Sequence, residues 1–394
     1  MMVELRRGVG FRGGAIVAGL VIWSSCQMAE QPSPPTMQVE AGGLVAVVPE
    51  SNPLSAEKVE LGRWFFYDRR LSADESLSCA SCHVPERAFS EPAQGAVGLG
   101  GERHPLNSPT LTNVVFQPRL NWADRQLREL EDQIAGPLFG SSPIVEMGLV
   151  SEELREQALR RLSQEPQYQE LWRQAYGEQE WSWERVIASL ASFVRTLVSE
   201  DSPWDRYQRG EELALSAQAR RGAELFFSHE NGITCHHCHG GFTFTSVARH
   251  AENPFDEVAF FNVGLYNLDE EGAYPAQAPG LYGQSGDPGD HGKFRAPTLR
   301  NLRYTGPYMH DGSIATLREV LEHYQEGGRA IEGGALAGDG RRNPNKDGAV
   351  NGMRLSEAQL DDLEAFLEAL NDPGFGDNPA FSNPAPPESR HWGE

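Results

Sequence analysis

The chain has 394 residues, which is long enough for two domains of ordinary size. Its formal net charge is −22 at pH 7 and no basic block offsets it, so we expect no nucleic-acid partner, because a polyanion would be repelled. The acidic surface keeps the protein in solution and could also steer a basic partner. The 41 glycines and 26 prolines indicate long loops between the regular elements.

The N-terminal segment has the composition of an export signal. Basic residues precede an apolar run over 15–23, which is too short to span a bilayer as a permanent helix. Small residues then precede Cys26, as at a bacterial lipoprotein cleavage site, although simple cleavage nearby is the alternative. We therefore predict an export signal over 1–26 and a Pro- and Gln-rich linker over 27–50, with membrane contact only through a lipid on Cys26.

Two similar helices are predicted in the chain. The first covers 56–66 and follows Ser55, a plausible N-cap. A related segment over 216–227 also begins Ser-Ala, carries a glycine about two turns in (Gly222, as Gly62 in the first) and also ends in Phe-Phe. The repetition indicates an internal duplication of one structural unit.

The same short motif follows each of these helices. The segments Cys79–His83 and Cys235–His239 both read Cys-x-x-Cys-His, which is the pattern for covalent attachment of a c-type haem. A redox dithiol or half of a zinc site is the alternative for one such motif. Two copies, with no further cysteine except Cys26, make that alternative improbable. The predicted haem-attaching and iron-binding residues are Cys79, Cys82, His83, Cys235, Cys238 and His239. Two covalent haem groups in turn predict a periplasmic protein, because bacteria attach c-type haem outside the cytoplasm.

Further helices are predicted from amphipathic patterns. Two of them cover 151–173 and 183–198, between the two cysteine motifs. The Gly- and Pro-rich passage 260–297 has few periodic runs. A last helix is predicted after Ser356, which has a glutamine three residues on and so forms a capping-box pattern. The Pro-rich residues 376–394 are predicted to form an extended tail.

These elements predict a mainly α fold with two cytochrome c-like haem domains and long irregular loops. The duplicated unit sets the boundaries: we predict an N-terminal haem domain over 51–205 and a C-terminal haem domain over 206–375. The cofactor itself supplies core surface in such a fold, which suits a hydrophobic content of only 39%.

Several motifs beyond the haem-attachment sites carry a resemblance to a known family. They are Cys79–His83, Asn107–Leu111, Trp122, Leu130–Gln133, Gly136–Pro137, Glu146–Gly148, Cys235–His239, Phe294–Asn301 and Pro307–Gly312. Together they resemble the bacterial di-haem cytochrome c peroxidases of the MauG-like superfamily, over nearly all of the mature chain.

The resemblance implies that the first haem reacts with hydrogen peroxide and the second relays electrons. His83 would bind the first iron and leave its other face open. Glu146 matches the carboxylate that moves the peroxide proton, and Gln133 matches its hydrogen-bonding neighbour. The loop 88–101 contains no histidine that could block this iron, so we expect an open first haem in the oxidised protein. We interpret His104 as structural.

Trp122 corresponds to a tryptophan that lies between the haems of similar proteins. An indole there can relay an electron, and the alternative is a core aromatic that fills the seam. At the second haem, whose proximal ligand is His239, Tyr324 stands where many peroxidases have a methionine. Tyr324 is therefore the predicted sixth ligand, as in the MauG-like branch, with His323 and Met309 as competing candidates.

The resemblance also implies a calcium ion between the haems. In similar proteins a side-chain amide and backbone carbonyls hold it, and Asn107, Thr305 and Pro307 occupy those positions. Oxygen ligands of this kind suit a hard cation. Three ordinary loop residues are the alternative.

Within the superfamily, the runs Phe261–Asn267 and Asn121–Ala123 are most similar to the di-haem enzymes encoded beside methanobactin genes. That similarity implies an enzyme that uses peroxide to oxidise a tryptophan of a partner protein to kynurenine. One alternative is a peroxidase that takes electrons from a small redox protein. The other, from a different class, is an electron carrier with two closed haems, and the absence of methionine at position 324 argues against it.

Overall fold

Short helices joined by long loops dominate the computed structural model, which describes residues 37–253 and 258–385. The helices of these residues are α1 Ala56–Tyr67, α2 Cys79–Cys82, α3 Leu130–Phe139, α4 Glu152–Gln164, α5 Pro166–Tyr176, α6 Trp183–Arg195, α7 Pro203–Gln208, α8 Ala217–Phe226, α9 Cys235–Cys238, α10 Tyr282–Ser285, α11 Leu317–Glu326 and α12 Glu357–Glu368. The prediction of a mainly α fold is confirmed. Within the described ranges, no helix is both long and apolar enough to cross a membrane.

The strands are short and pair only in twos. Among the described residues they are β1 Glu40–Ala41, β2 Leu44–Val45, β3 Phe260–Phe261, β4 Phe294–Arg295, β5 Ala330–Ile331 and β6 Gly338–Asp339. Each pair is antiparallel, and β3 with β4 brings Phe261 opposite Phe294. The passage 260–297 is therefore irregular, as predicted, but this small ladder closes it.

Most helix boundaries agree with the sequence, and one does not. The hydroxyl oxygen of Ser55 accepts a hydrogen bond from the Lys58 N–H at the start of α1, as an N-cap does. The predicted helix over 151–173 is in fact two helices, α4 and α5. They separate at Glu165, which is extended, because a residue that precedes proline (here Pro166) is disfavoured in helical conformation.

Two close helix crossings place the cysteine motifs. Helix α1 crosses α6 at Gly62, where an added Cβ would lie 1.9 Å from the carbonyl oxygen of Ser189. Helix α8 crosses α12 at Gly222, where an added Cβ would lie 1.8 Å from the carbonyl oxygen of Asp362. Any side chain at either glycine would force the helices apart. The glycine shared by the two units is therefore the contact that lets each unit close.

Two hydrophobic clusters accompany these two crossings. One surrounds α1 and α6 and contains Phe66, and the other surrounds α8 and α12 and contains Phe366. Beside the second cluster, Arg300 is only 1% exposed and donates two hydrogen bonds of 2.8 Å to Asp205 in α7. Such a bidentate pair anchors the loop after β4 to α7.

Both ends of the described chain are more ordered than predicted. The export signal over 1–26 lies outside the described residues, and so do parts of the predicted linker and tail. Within the linker, the hairpin of β1 and β2 packs Val39 and Ala46 against Phe116. Within the tail, Phe381 lies in the first cluster and its carbonyl oxygen accepts a hydrogen bond from the Tyr67 hydroxyl. For these described parts of the chain, the predictions of a tether and of an extended tail are wrong. A few apolar side chains are enough to bury each segment against the rest of the protein.

Candidate haem and peroxide sites

The first cysteine motif lines a cavity of about 390 Å³. Helix α2 begins at Cys79, where the Ser81 hydroxyl accepts the N–H of Ser78 at 3.0 Å and fixes the turn. His83 follows the helix, and its Nδ1 lies 3.0 Å from the carbonyl oxygen of Phe89. That contact identifies Nδ1 as the donor and leaves Nε2 without a proton. Burial also lowers the pKa of His83, which favours the neutral ring that an iron requires.

The second motif repeats this arrangement at a cavity of about 190 Å³. Helix α9 carries Cys235 and Cys238, and His239 follows. Its Nδ1 lies 3.1 Å from the carbonyl oxygen of Phe244 and 3.2 Å from that of Pro297. Burial lowers the pKa of His239 as well. Each cavity therefore offers two thiols and one neutral imidazole with a free nitrogen, which is the donor set that a covalent haem requires.

The first cavity also contains the predicted acid–base pair. Glu146 lines it, and burial raises the pKa of this carboxyl group, although the nearby His104 opposes the effect. Gln133 lines it too, and its buried Oε1 has no hydrogen-bond partner among the described residues. An orphaned amide oxygen in a buried site is costly unless a ligand satisfies it. The structure thus brings Glu146 and Gln133 to one cavity with His83, and both can exchange hydrogen bonds with a small polar ligand there.

Two further side chains line the first cavity without a predicted catalytic role. The sequence assigned no role to Glu91 and only a structural role to His104. Glu91 is buried, and within 37–253 and 258–385 no residue forms a hydrogen bond with its Oε2; burial raises the pKa of this carboxyl group. An isolated glutamate in a loop gives no sequence signal, so Glu91 was missed. His104, interpreted as structural, does line the cavity, and its Nδ1 lies 2.9 Å from the carbonyl oxygen of Leu106.

Trp122 lies in the wall that the two cavities share. It is 8% exposed, and its Nε1 donates a hydrogen bond of 2.8 Å to the carbonyl oxygen of Asn107. Its own carbonyl oxygen accepts the N–H of Arg295 at 2.8 Å, which ties it to β4. The residues that line both cavities are Trp122, Arg295, Pro297, Leu302, Tyr308 and Met309. The indole is therefore rigidly held between the two sites, and it also packs as a core residue.

Three side chains were candidates for the far side of the second cavity. Tyr324 lines it, and burial, with a contribution from the cysteine thiols, raises the pKa of this phenol. Met309 also lines it, as part of the shared wall. His323 is not among the lining residues, and its Nε2 lies 2.9 Å from the carbonyl oxygen of Val263. The position of His323 is therefore unfavourable for a ligand, and Tyr324 and Met309 remain.

The residues predicted to hold calcium lie near one another. Asn107 donates its side-chain N–H to the carbonyl oxygen of Pro307 at 2.9 Å, and its Oδ1 accepts the N–H of Gly95 at 2.9 Å. Thr305 lines the same cavity. The amide oxygen of Asn107 is thus turned toward Gly95, so these contacts alone do not form an oxygen cage. Calcium stays a prediction.

The two cavities define a c-type haem protein with two attachment sites, one of which has acid–base groups. The sequence matches the family model described as di-haem cytochrome c peroxidase over residues 56–213. It is 34% identical to cytochrome-c peroxidase IdrP1 of Denitromonas iodatirespirans, over 84% of this chain and 86% of that protein. It is also 34% identical to methylamine utilization protein MauG of Methylorubrum extorquens, over 82% of this chain and 80% of that protein. The chain belongs to the di-haem cytochrome c peroxidase family and is an enzyme of that type.

A solved structure agrees with the fold as well as the sequence. It is the structure of a MauG-like protein associated with microbial copper homeostasis, and it is 42% identical to this chain. The comparison covers 86% of this chain and 96% of that one, with a TM-score of 0.83. Family membership therefore gives the protein two c-type haem groups and hydrogen peroxide as the oxidant. Membership of this enzyme family does not fit the alternative of an electron carrier with two closed haems.

Proposed function

We propose that this enzyme uses hydrogen peroxide to oxidise a side chain of a partner protein, in a reaction of the tryptophan-to-kynurenine type. The observation that carries the proposal is the place of Tyr324 in the second cavity, where many peroxidases of the family have methionine. A phenolate oxygen stabilises oxidised iron more than a thioether does. A second site with such a ligand is suited to hold an oxidising equivalent until a protein substrate arrives.

In this proposal Glu146 moves the proton. Its carboxylate would accept a proton from one peroxide oxygen and return it to the other, which would then depart as water. Gln133 donates from its amide to orient the peroxide, and its orphaned Oε1 accepts in return. A haem held by Cys79, Cys82 and His83 would supply the electrons for cleavage of the O–O bond. The raised pKa of Glu146 suits this exchange, because a proton is taken up and returned most readily by a group whose pKa lies closer to neutral pH.

Trp122 is the proposed path between the two sites. Trp122 lines both cavities, so its indole can relay an electron from the second site to the first. Its hydrogen bond to the carbonyl oxygen of Asn107 fixes the ring, and this keeps the distance from the ring to each cavity constant. The partner protein would then be oxidised at the surface near the second site, in the periplasm, and calcium bound near Asn107, Thr305 and Pro307 would brace this region.

The runner-up is a peroxidase that reduces hydrogen peroxide with electrons from a small redox protein. The relatives named cytochrome-c peroxidase favour it. Both candidates share the peroxide chemistry and differ only in what restores the electrons.

One experiment separates the two candidates. Purified protein is mixed with stoichiometric peroxide, and the spectra of both haems are followed without any donor. If the enzyme oxidises a partner protein, the change that peroxide causes in the spectra of both haems should decay slowly. Mass spectrometry of co-expressed neighbouring gene products should then reveal a tryptophan converted to kynurenine only when this enzyme is present. Rapid turnover with a reduced small cytochrome, and no modified partner, would instead support the peroxidase.

A further inference from the structure

His310 is a polar side chain of the second cavity that the proposed function does not use. It is 5% exposed, and its Nε2 has no hydrogen-bond partner in the described chain. Its ring stacks on Phe294 with centroids 3.7 Å apart and an angle of 13° between the planes. The stacking fixes the ring, and the residue lines the cavity. A buried donor or acceptor without a protein partner is costly, unless a group that binds in the cavity forms a hydrogen bond with it.

Tyr324 lines the same cavity of about 190 Å³. Among the residues that the structure describes, none forms a hydrogen bond with its hydroxyl group. Tyr274 lines the cavity as well, and its ring centroid lies 6.1 Å from that of His310. The unpartnered nitrogen of His310 and the hydroxyl group of Tyr324 therefore belong to residues that line one cavity.

We infer that His310 donates its Nε2–H to the phenolate oxygen of Tyr324 when Tyr324 binds the second iron, and that this hydrogen bond raises the reduction potential of the second haem. The inference rests on the proposed role of Tyr324. A hydrogen bond to a ligand atom withdraws electron density from it, so the phenolate stabilises ferric iron less. His310 is buried and its ring is fixed by the stacking on Phe294, so its Nε2 is held at one place in the cavity wall. His310 is a positioning and tuning residue, since it acts through Tyr324.

The chain offers a matched control for the loss of a buried histidine. His291 stacks on Tyr282 with centroids 3.7 Å apart and an angle of 19°, and its buried Nδ1 also lacks a hydrogen-bond partner in the part of the chain that the structure describes. It lines neither cavity. His291→Leu therefore removes a similar stacked ring with an orphaned nitrogen from a residue that lines neither cavity, although its neighbour Gly292 lines the second one.

The test is a double-mutant cycle on the holoenzyme. The midpoint potential of the second haem and the phenolate-to-iron charge-transfer band are measured in wild type, His310→Leu, Tyr324→Phe and the double variant. We expect His310→Leu to lower the equilibrium constant for reduction about tenfold, or about 59 mV for a one-electron couple. We expect the same substitution to change nothing in the Tyr324→Phe background. His310→Gln keeps an N–H donor and should restore most of the potential.

Each outcome decides the matter. An equal shift in both backgrounds would overturn the inference, because His310 would then act on some other group of the haem. So would an unchanged potential in His310→Leu, or a shift as large in the control His291→Leu. If Tyr324→Phe leaves the spectrum of the second haem unaltered, the ligand assignment fails and the inference fails with it. If His310→Leu does not assemble, His310→Gln decides alone: a tenfold loss there also overturns it.

Discussion

Replacing Glu146 with glutamine tests the peroxide site most directly. Glutamine keeps the size and hydrogen bonding of the side chain but cannot take up and return a proton. Positioned acid–base groups contribute roughly 10²–10⁴-fold to rates. Because Glu91 and His104 line the same cavity and can substitute in part, we expect the lower portion of that range. The loss should be about 10²–10³-fold, or about 3–4 kcal/mol of activation free energy.

The assay is stopped-flow absorbance of the first haem against peroxide concentration, at several pH values. Burial raises the pKa of Glu146 above its ordinary value of 4.5, and the deprotonated form is the one that accepts the proton. The wild-type rate should therefore fall as pH drops through a value above 4.5, and Glu146→Gln should lack that fall. Glu91→Gln is the matched control, since it removes the other buried carboxylate of the cavity.

The refuting results are specific. A Glu146→Gln rate within threefold of wild type would remove Glu146 from the proton transfer. A larger loss in Glu91→Gln than in Glu146→Gln would move the role to Glu91. If both variants keep the wild-type pH profile, no carboxylate of this cavity governs the step.

Three further predictions concern the rest of the molecule. Trp122→Phe should slow the response of the second haem to peroxide while the first haem reacts normally, and should cost only about 1–2 kcal/mol in urea unfolding, because one hydrogen bond and some ring surface are lost. Removal of calcium with a chelator should slow the same response, since Asn107 holds the indole, with metal content followed by elemental analysis. Arg300→Met should lower the free energy of unfolding by about 3–5 kcal/mol, because it strands a buried carboxylate. Burial raises the pKa of Asp205, but the hydrogen bond and charge of Arg300 lower it overall, so the difference from wild type should shrink as pH falls below about 3.8.

Contrary results would be equally clear. Unchanged coupling in Trp122→Phe with reduced stability would leave Trp122 as a core residue only. Purified protein without calcium, or coupling that is indifferent to a chelator, would contradict the calcium prediction. Stability of Arg300→Met equal to wild type would mean that the buried pair offsets no more than its own desolvation.

The haem-attachment motifs and the duplicated helices could be predicted from the sequence because their signals are local. The spacing of Cys79, Cys82 and His83 is set within one short turn, and so is the cap at Ser55. The repeated glycine was also evident in the sequence, but the sequence did not show why a glycine is needed at that position. Only the crossing of α1 with α6 shows that Gly62 faces a backbone carbonyl. The split of α4 from α5 was also local, but the effect of Pro166 was overlooked.

Other features depend on residues that are far apart in the chain. Glu91 and Glu146 meet in one cavity through loops that carry no periodic signal, so Glu91 was missed. Phe381 joins a core built around α1, although the Pro-rich composition of its segment predicts a tail. Composition reports the average behaviour of a segment, whereas burial depends on whether a partner surface lies within reach.

By itself, the sequence determined which atoms are available for chemistry: two thiol pairs, each with its histidine, and a mainly helical chain to carry them. The tertiary structure alone decided which further side chains share those cavities, so that Trp122 lies in both walls while His323 turns to Val263 and His310 keeps an unpaired nitrogen. The physical reason is that spacing along a turn fixes neighbours a few residues apart, whereas hydrogen-bond satisfaction in a buried space depends on every loop that reaches it.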